Sequence, residues 1–126
     1  MMRDQATLLS GAQTLTPAAR TATAIGTTVD LATFRAATIY IVAGVRTDGT
    51  HTPAIQESTD GTTWTAVPAA RLIGAPIDIV TNAVQEIGYI GALRFVRVTV
   101  TVAGATTGAV YGAIVVRGRP QSAPVV

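Results

Sequence analysis

The sequence predicts an all-β domain, an antiparallel β-sandwich of about eight strands in a jelly-roll or Greek-key order with extended N- and C-terminal arms. The first observation is a period of two in residues 93–102, where Val96, Val98, Val100 and Val102 alternate with arginine and threonine. The second is a pair of Thr-Asp-Gly-Thr turn signals at 47–50 and 59–62. The third is a loosely patterned stretch between two groups of strands, which predicts a crossover.

Three segments are predicted along the chain. They are an N-terminal arm at residues 1–20, the sandwich at 21–118 and a C-terminal tail at 119–126. The arm contains Gly11 and Pro17 among short apolar pieces, so it is predicted to be extended or to hold one short strand. The tail contains Pro120 and Pro124, which lack amide donors and are expected not to continue a ladder of backbone hydrogen bonds.

The sandwich is predicted to contain a series of strands. In chain order they are 21–25, 28–31, 36–46, 51–58, 62–67, 84–90, 93–102 and 109–117. The three strands joined by the Asp-Gly turns are predicted to pair in sequence as a meander, because Asp-Gly is typical of tight hairpins. Residues 68–83 are predicted to be the long crossover, with an apolar run at 77–80 that could form one short strand.

Two strands have a marked phase. In 109–117, Val110, Ile114 and Val116 share one phase. In 36–46, apolar side chains occupy both phases, with Ile39, Ile41 and Ala43 on one side and Tyr40 and Val42 on the other. Apolar residues in both phases are typical of a strand buried on both faces. We therefore expect the outer face at 36–46 to be covered by the N-terminal arm or by another subunit.

Composition favours self-assembly over nucleic-acid or membrane binding. Charged residues make up 13% of the chain, about half the usual share, and low charge protects poorly against association. A compositional bias of a GC-rich genome is the alternative explanation, since all nine basic residues are arginine. The arginines are scattered rather than clustered, which argues against nucleic acid. With no cysteine, no signal-peptide-like start and no long apolar run, we expect a soluble protein without disulfides.

No constellation of side chains predicts catalysis, a metal site or a cofactor. Three are possible on residue type alone: His51 with Ser58 and Asp48 or Asp60 as a triad; Asp48, His51, Glu57 and Asp60 as metal ligands; and Glu57 with Glu86 or Asp78 as paired carboxylates. The first two are explained by ordinary turn chemistry and match no ligand loop. The third lacks the aromatic-lined cleft that sugar hydrolysis needs. We expect a non-enzymatic protein without a cofactor.

Stacking on a glycan is a competing interpretation of the aromatic residues. The candidate platforms are Trp64, Tyr89 and Tyr111. A single tryptophan on a strand is more often part of a core or a lid over it. A buried Trp64 would remove the main support for this interpretation.

The hairpin IQESTDGTTWTAV at 55–67 and the run IGYIGALRFVRVTVTVAGATTGAVYGAIVVRGRPQSAPV at 87–125 resemble a known family. They are similar to the small β-sandwich virion proteins of tailed bacteriophages. In those sequences a QxSxDGxxWxxV hairpin precedes GYxGxxRYxRVxxT, a Gly-Ala-rich turn and a closing strand that ends in VVRGxPxxAPV. The resemblance covers about residues 37–125, or roughly 70% of the 126 residues.

The resemblance implies a structural role as a head decoration or cement protein. Such a protein is made in the host bacterial cytoplasm, binds the major capsid protein on the outer capsid surface and often forms a homotrimer. Related sandwiches also occur in tails and baseplates, so a tail or neck component and a carbohydrate- or receptor-binding module are the alternatives. The resemblance implies no catalytic residues.

The candidate contact residues lie in the arms and on the last two strands. They are Leu8, Leu9, Arg94, Arg97, Arg117, Arg119, Pro124, Val125 and Val126. The four arginines are predicted to lie on adjoining strands, where they could gather into one docking face. The apolar tip of the tail is expected to bridge to a neighbouring subunit, and a frayed terminus is the alternative.

Overall fold

A computed structural model describes residues 4–120. The strands are β1 (Ser10–Arg20), β2 (Ala24–Ile25), β3 (Val29–Asp30), β4 (Phe34–Arg46), β5 (Thr50–Ser58), β6 (Thr65–Ala66), β7 (Leu72–Ile73), β8 (Val84–Tyr89), β9 (Phe95–Ala103) and β10 (Ala109–Pro120). A single 3₁₀ turn at Ala69–Arg71 is the only helical segment in this part of the chain. None of the described residues form a helix with the length and hydropathy to cross a bilayer.

The strands form two antiparallel sheets. Sheet 1 has the order β1-β10-β4-β8-β7, and sheet 2 has the order β2-β9-β5-β6, with β3 also on β9. The pairs are nested: β1 with β10, β2 and β3 with β9, β4 with β8, and β5 with β6. A long hairpin rolled up in this way is a jelly roll, with β2 and β3 together acting as its second strand. The predicted sandwich and its jelly-roll order are confirmed.

The core lies between the sheets and follows the period-two pattern. Val96, Val98 and Val100 on β9 are fully buried, as are Ile39 on β4 and Val115 on β10. Burying a valine or isoleucine side chain contributes roughly 1.5–3 kcal/mol each. The alternation that identified β9 in the sequence is therefore the pattern that holds the sandwich together.

The N-terminal segment is not a free arm from Ser10 onward. It forms the full-length edge strand β1, which pairs with β10 along its whole length. Its register shifts twice, between Gln13 and Leu15 and between Leu15 and Ala18. Pro17 lies in the second bulge, where a missing amide donor is tolerated. The bulges break the two-residue period, which is why the sequence did not predict so long a strand.

The meander predicted around Asp48-Gly49 is wrong. β4 belongs to sheet 1 and β5 to sheet 2, so this turn crosses from one sheet to the other. The positive φ of Gly49, 82°, accounts for the Asp-Gly sequence, but a turn signal does not decide which strands pair. The hairpin at Asp60-Gly61 is real, with β5 pairing β6.

Two other boundaries differ from the prediction. β6 begins at Thr65 rather than at residue 62, because the Asp60 carboxylate accepts hydrogen bonds from the Thr62 and Thr63 amides and holds them in the turn. The short strand of the crossover is β7, not residues 77–80. Ile79 is nevertheless fully buried.

The C-terminal strand passes the predicted domain boundary at 118. β10 runs on to Pro120, which lies opposite Phe34 at its end. A proline at the last pair of a strand removes no further ladder donor. Residues 121–126, and with them Pro124, Val125 and Val126, lie outside the described residues.

Candidate functional site

The outer face of sheet 1 carries exposed apolar side chains beside one exposed carboxylate, Glu86, which lies opposite Tyr40. Val42 on β4 is 49% exposed and lies beside Val84 on β8, which is 63% exposed. Val110 on β10 and Ile73 on β7 are also exposed. We call these residues, with Tyr40 and Ile114, the sheet 1 outer face. The prediction that another part of this chain covers it does not hold for the N-terminal segment, because β1 lies at the edge of the sheet.

The phase of β10 explains how this face arises. Val110, Ile114 and Val116 point outward, whereas Tyr111, Ala113 and Val115 point into the core and are buried. Because the stronger aliphatic phase of the strand is the outer one, sheet 1 is apolar on both sides. The sequence indicates this, because apolar residues occupy both phases of its strands. It does not indicate which phase faces outward, because Val110, Ile114 and Val116 are bulky aliphatic residues of the kind expected in the core.

A hollow of about 290 Å³ opens on this face between β1, β10 and β4. We call it the sheet 1 hollow, with Pro17, Val42, Gly44, Val110, Gly112 and Ile114 among the residues that line it. No charged residue lines it. Gly112 has a steric reason to be glycine, because a methyl group there would lie 3.0 Å from the Leu15 carbonyl oxygen and from Pro17 backbone atoms.

Gly44 has no such reason. A methyl group on it would meet Val110 at 3.6 Å, an ordinary contact, and its φ lies outside the left-handed region. Glycine in a strand interior costs roughly 0.5–1 kcal/mol relative to alanine. This missing side chain keeps the hollow open at a cost that nothing else in the described residues explains.

The outer face of sheet 2 is polar by contrast. Its outward positions on β5 and β9 are Thr52, Ala54, Gln56, Arg97, Thr99 and Thr101. The Arg97 guanidinium lies 4.2 Å from the centroid of the Trp64 ring and donates a 2.8 Å hydrogen bond to the Gln56 side chain. Burial lowers the pKa of Arg97 below its usual range. Trp64 is half-buried, and Arg97 covers one face of its ring.

The predicted arginine face does not form, because the strands that carry Arg97 and Arg117 are in different sheets. Arg94 and Arg117 instead converge on Asp30. Arg94 forms a 2.8 Å ion pair with the Asp30 carboxylate, and Arg117 donates to the Asp30 carbonyl oxygen at 3.1 Å. Hydrogen bonds from Arg94 and from the Ala32 amide lower the pKa of Asp30 to about 2.

A second hollow, of about 370 Å³, lies at the end of the sandwich between residues 31–37 and 89–94. Tyr89 reaches it from the core, and its hydroxyl donates a 2.7 Å hydrogen bond to Glu57. Arg71 forms a 2.7 Å ion pair with the other oxygen of that buried carboxylate. Burial, with the hydrogen bond to Glu57, raises the pKa of Tyr89 to about 12. These three groups therefore satisfy one another's hydrogen bonds and charge.

The single histidine is likewise structural. His51 Nε2 lies 3.0 Å from the Asp48 carbonyl oxygen, which can only accept, so Nε2 carries the proton. Nδ1 then accepts from the Tyr111 hydroxyl at 3.1 Å. The Asp48 carboxylate accepts from the amides of 106–108. His51 and Glu57 stand at opposite ends of β5, and no cluster of three or more ligand side chains suited to a metal occurs among the described residues.

The remaining predicted site residues divide into two groups. Leu8, Leu9 and Arg119 are exposed, and their role as contacts stays a prediction. Tyr89 and Tyr111 are wrong as stacking platforms, because they are 6% and 1% exposed and their rings lie in the core. The sequence predicted that the outer face at 36–46 is covered by the N-terminal arm or another subunit, but it did not predict the hollow on that face or the part that Gly44 plays in it.

No protein-family model matches the chain, and comparison with curated proteins and with solved structures finds no match either.

Proposed function

We propose that this chain is a non-enzymatic structural protein that acts by packing against neighbouring subunits through the sheet 1 outer face. On the sequence resemblance, its setting is the outer capsid surface of a tailed bacteriophage, where it would bind the major capsid protein as a decoration or cement protein. The observation that carries the proposal is the exposed row of aliphatic side chains on β4, β8 and β10.

The physical argument is the cost of leaving such a face in water. Contiguous exposed apolar surface is uncommon on monomers and marks sites of interaction. Removing it from water contributes roughly 25 cal/mol for each Å² of apolar surface. On a capsid, many copies bind at once, so modest contacts at each site add up to stable attachment.

The low charge of the chain and the absence of a built reaction centre among residues 4–120 support a mechanical role. The buried polar side chains form contacts that link strands and loops. Glu57 forms an ion pair with Arg71 and a hydrogen bond with Tyr89, and His51 forms a hydrogen bond with Tyr111. A tail or neck component would use the same apolar face, and it would differ by assembling into rings rather than trimers.

The test is the solution mass of the purified protein by light scattering, followed by co-sedimentation with empty phage heads. We expect a trimer that co-sediments with heads and stays bound as the salt concentration rises, since apolar contacts are not screened. A monomer that ignores heads would overturn the proposal. A ring would move the protein to the tail or neck, and steep loss of binding with salt would move the contact to the arginines.

A further inference from the structure

We propose that the sheet 1 hollow binds the apolar segment around Pro124, Val125 and Val126 of a second copy of this chain. This inference rests on the proposed self-assembly and deepens it, because it names both surfaces of the contact between copies.

Reach decides that the segment must come from another copy. Val126 lies six residues beyond Pro120, so it can be at most about 21 Å from it. Gly112, at the hollow, lies eight residues back along β10, about 26 Å away at the rise of a strand. β10 also runs away from the hollow at Pro120. The segment therefore cannot fill the hollow of its own chain.

Charge and conformational cost favour this occupant. Residues 121–126, Gln-Ser-Ala-Pro-Val-Val, carry no charged side chain, and no charged residue lines the hollow. No charged side chain has to be desolvated on either partner when they bind. Pro124 fixes its own φ and disfavours the helical region for Ala123, which reduces the entropy lost when an extended segment is bound.

The hollow has space for a side chain from another copy. Gly112 is required by the bulge of β1, but Gly44 is required by no contact within the chain. A copy that donates its segment and accepts another makes a head-to-tail contact, which closes into a cyclic oligomer when the rotation between copies is a whole fraction of a turn. A trimer is one such closed arrangement.

The experiment uses two variants of the full chain. Val125→Asp with Val126→Asp puts charge on the segment, and Gly44→Val fills the hollow. The matched control is Gly11→Val, on the outer side of β1 opposite Val116, where a methyl group meets nothing within 4 Å. Circular dichroism and thermal melting check that each variant folds, and Gly44→Ala is the milder substitution if Gly44→Val does not.

Association is measured by sedimentation velocity for each variant alone and for a 1:1 mixture. We expect the segment and hollow variants each to associate at least about tenfold more weakly than the parent chain, and the control to be unchanged. In the mixture, the hollow variant still donates its segment and the segment variant still offers its hollow. The mixture should therefore form dimers and stop there.

Three results would overturn the inference: a segment variant that associates like the parent chain, as face-to-face packing of two sheets predicts; a mixture that stays monomeric; or a parent chain that is monomeric at all concentrations. Co-sedimentation with heads separates this failure from that of the proposed function. Heads bound without segment exchange would overturn the inference alone, and exchange without head binding would overturn only the virion setting.

Discussion

The outer faces of the two sheets have the same pleated strand geometry, but their side chains differ in chemistry. Sheet 2 presents threonine, glutamine and an arginine that covers the only tryptophan. Sheet 1 presents valine and isoleucine around a hollow formed beside two glycines. Both sheets bury aliphatic side chains on their inner faces, so folding alone does not require the difference. The difference supports the proposal that sheet 1, rather than sheet 2, packs against another protein.

The largest expected effect comes from placing a charge on each face in turn. Val42→Arg puts a guanidinium in the centre of the sheet 1 outer face, where association would have to desolvate it. We expect association to weaken at least about a hundredfold, equivalent to roughly 2.7 kcal/mol. Thr99→Arg, at an outward position of β9, is the matched change on sheet 2 and should leave association unaltered.

Light scattering across a concentration series measures both variants. Val42 is half exposed in the single chain, so the substitution should change the melting temperature little. Equal weakening by the two substitutions would contradict the difference between the faces. It would instead assign the association to net charge.

A change in the core should separate stability from association. Tyr111→Phe removes the hydroxyl that donates to His51 Nδ1 and leaves a buried acceptor unpaired, which costs about 1–3 kcal/mol. We expect urea denaturation to show this loss while the oligomer remains at native conditions. Tyr40→Phe, on the sheet 1 outer face, is the control for loss of a hydroxyl. If Tyr111→Phe dissociated the folded oligomer, association would depend on the core rather than on the outer face.

A smaller effect is expected from Arg97→Ala on sheet 2. The substitution removes a cation–π contact worth about 0.5–1 kcal/mol and uncovers the Trp64 ring. Since Trp64 is the only tryptophan, its fluorescence emission should move to longer wavelength as the ring meets water. Arg94→Ala is the control, because Arg94 lies against Phe95 instead. An unchanged emission spectrum would mean that Arg97 does not cover the ring in solution.

How much of this could be predicted from the sequence depends on whether the pattern is local. The alternation of Val96, Val98 and Val100 predicted β9 and its buried face, and the turn residues predicted where chains reverse. Strand pairing is not local: Asp48-Gly49 has the composition of a hairpin turn, yet it joins two sheets. The inner and outer phases of β10 depend on which neighbour packs on which side. For the same reason the sequence could not show that Val110, Ile114 and Val116 face outward.

The site was harder to predict than the fold because it consists partly of absent side chains. Gly112 and Gly44 have no feature in the sequence that distinguishes them from glycines needed for turns. The two roles are separated only by the structure: a methyl group on Gly112 would collide with the β1 bulge, whereas one on Gly44 would make an ordinary contact with Val110. Tyr89 and Tyr111 failed as platforms because aromatic residue type says nothing about which face of a strand it occupies.

The smallest expected effect is acid destabilisation, which acts on the charged loops rather than on the apolar face. Arg94 and the Ala32 amide lower the pKa of Asp30 to about 2, and backbone amides lower the pKa of Asp48 and of Asp60. Because the folded pKa is below the unfolded one, this stabilisation is complete above about pH 4 and is lost as the pH falls toward 2.

The measurement is the melting temperature of the parent chain and of Asp30→Asn at several pH values. The variant should melt lower at pH 6, and the gap should close as the pH falls from 4 to 2, because protonated aspartic acid and asparagine are both neutral. A gap that stays constant over this range would show that the Asp30 carboxylate gains nothing from its charge. Sheet 1 association should hold until the fold itself melts, since no aspartate, glutamate or histidine lines the sheet 1 hollow.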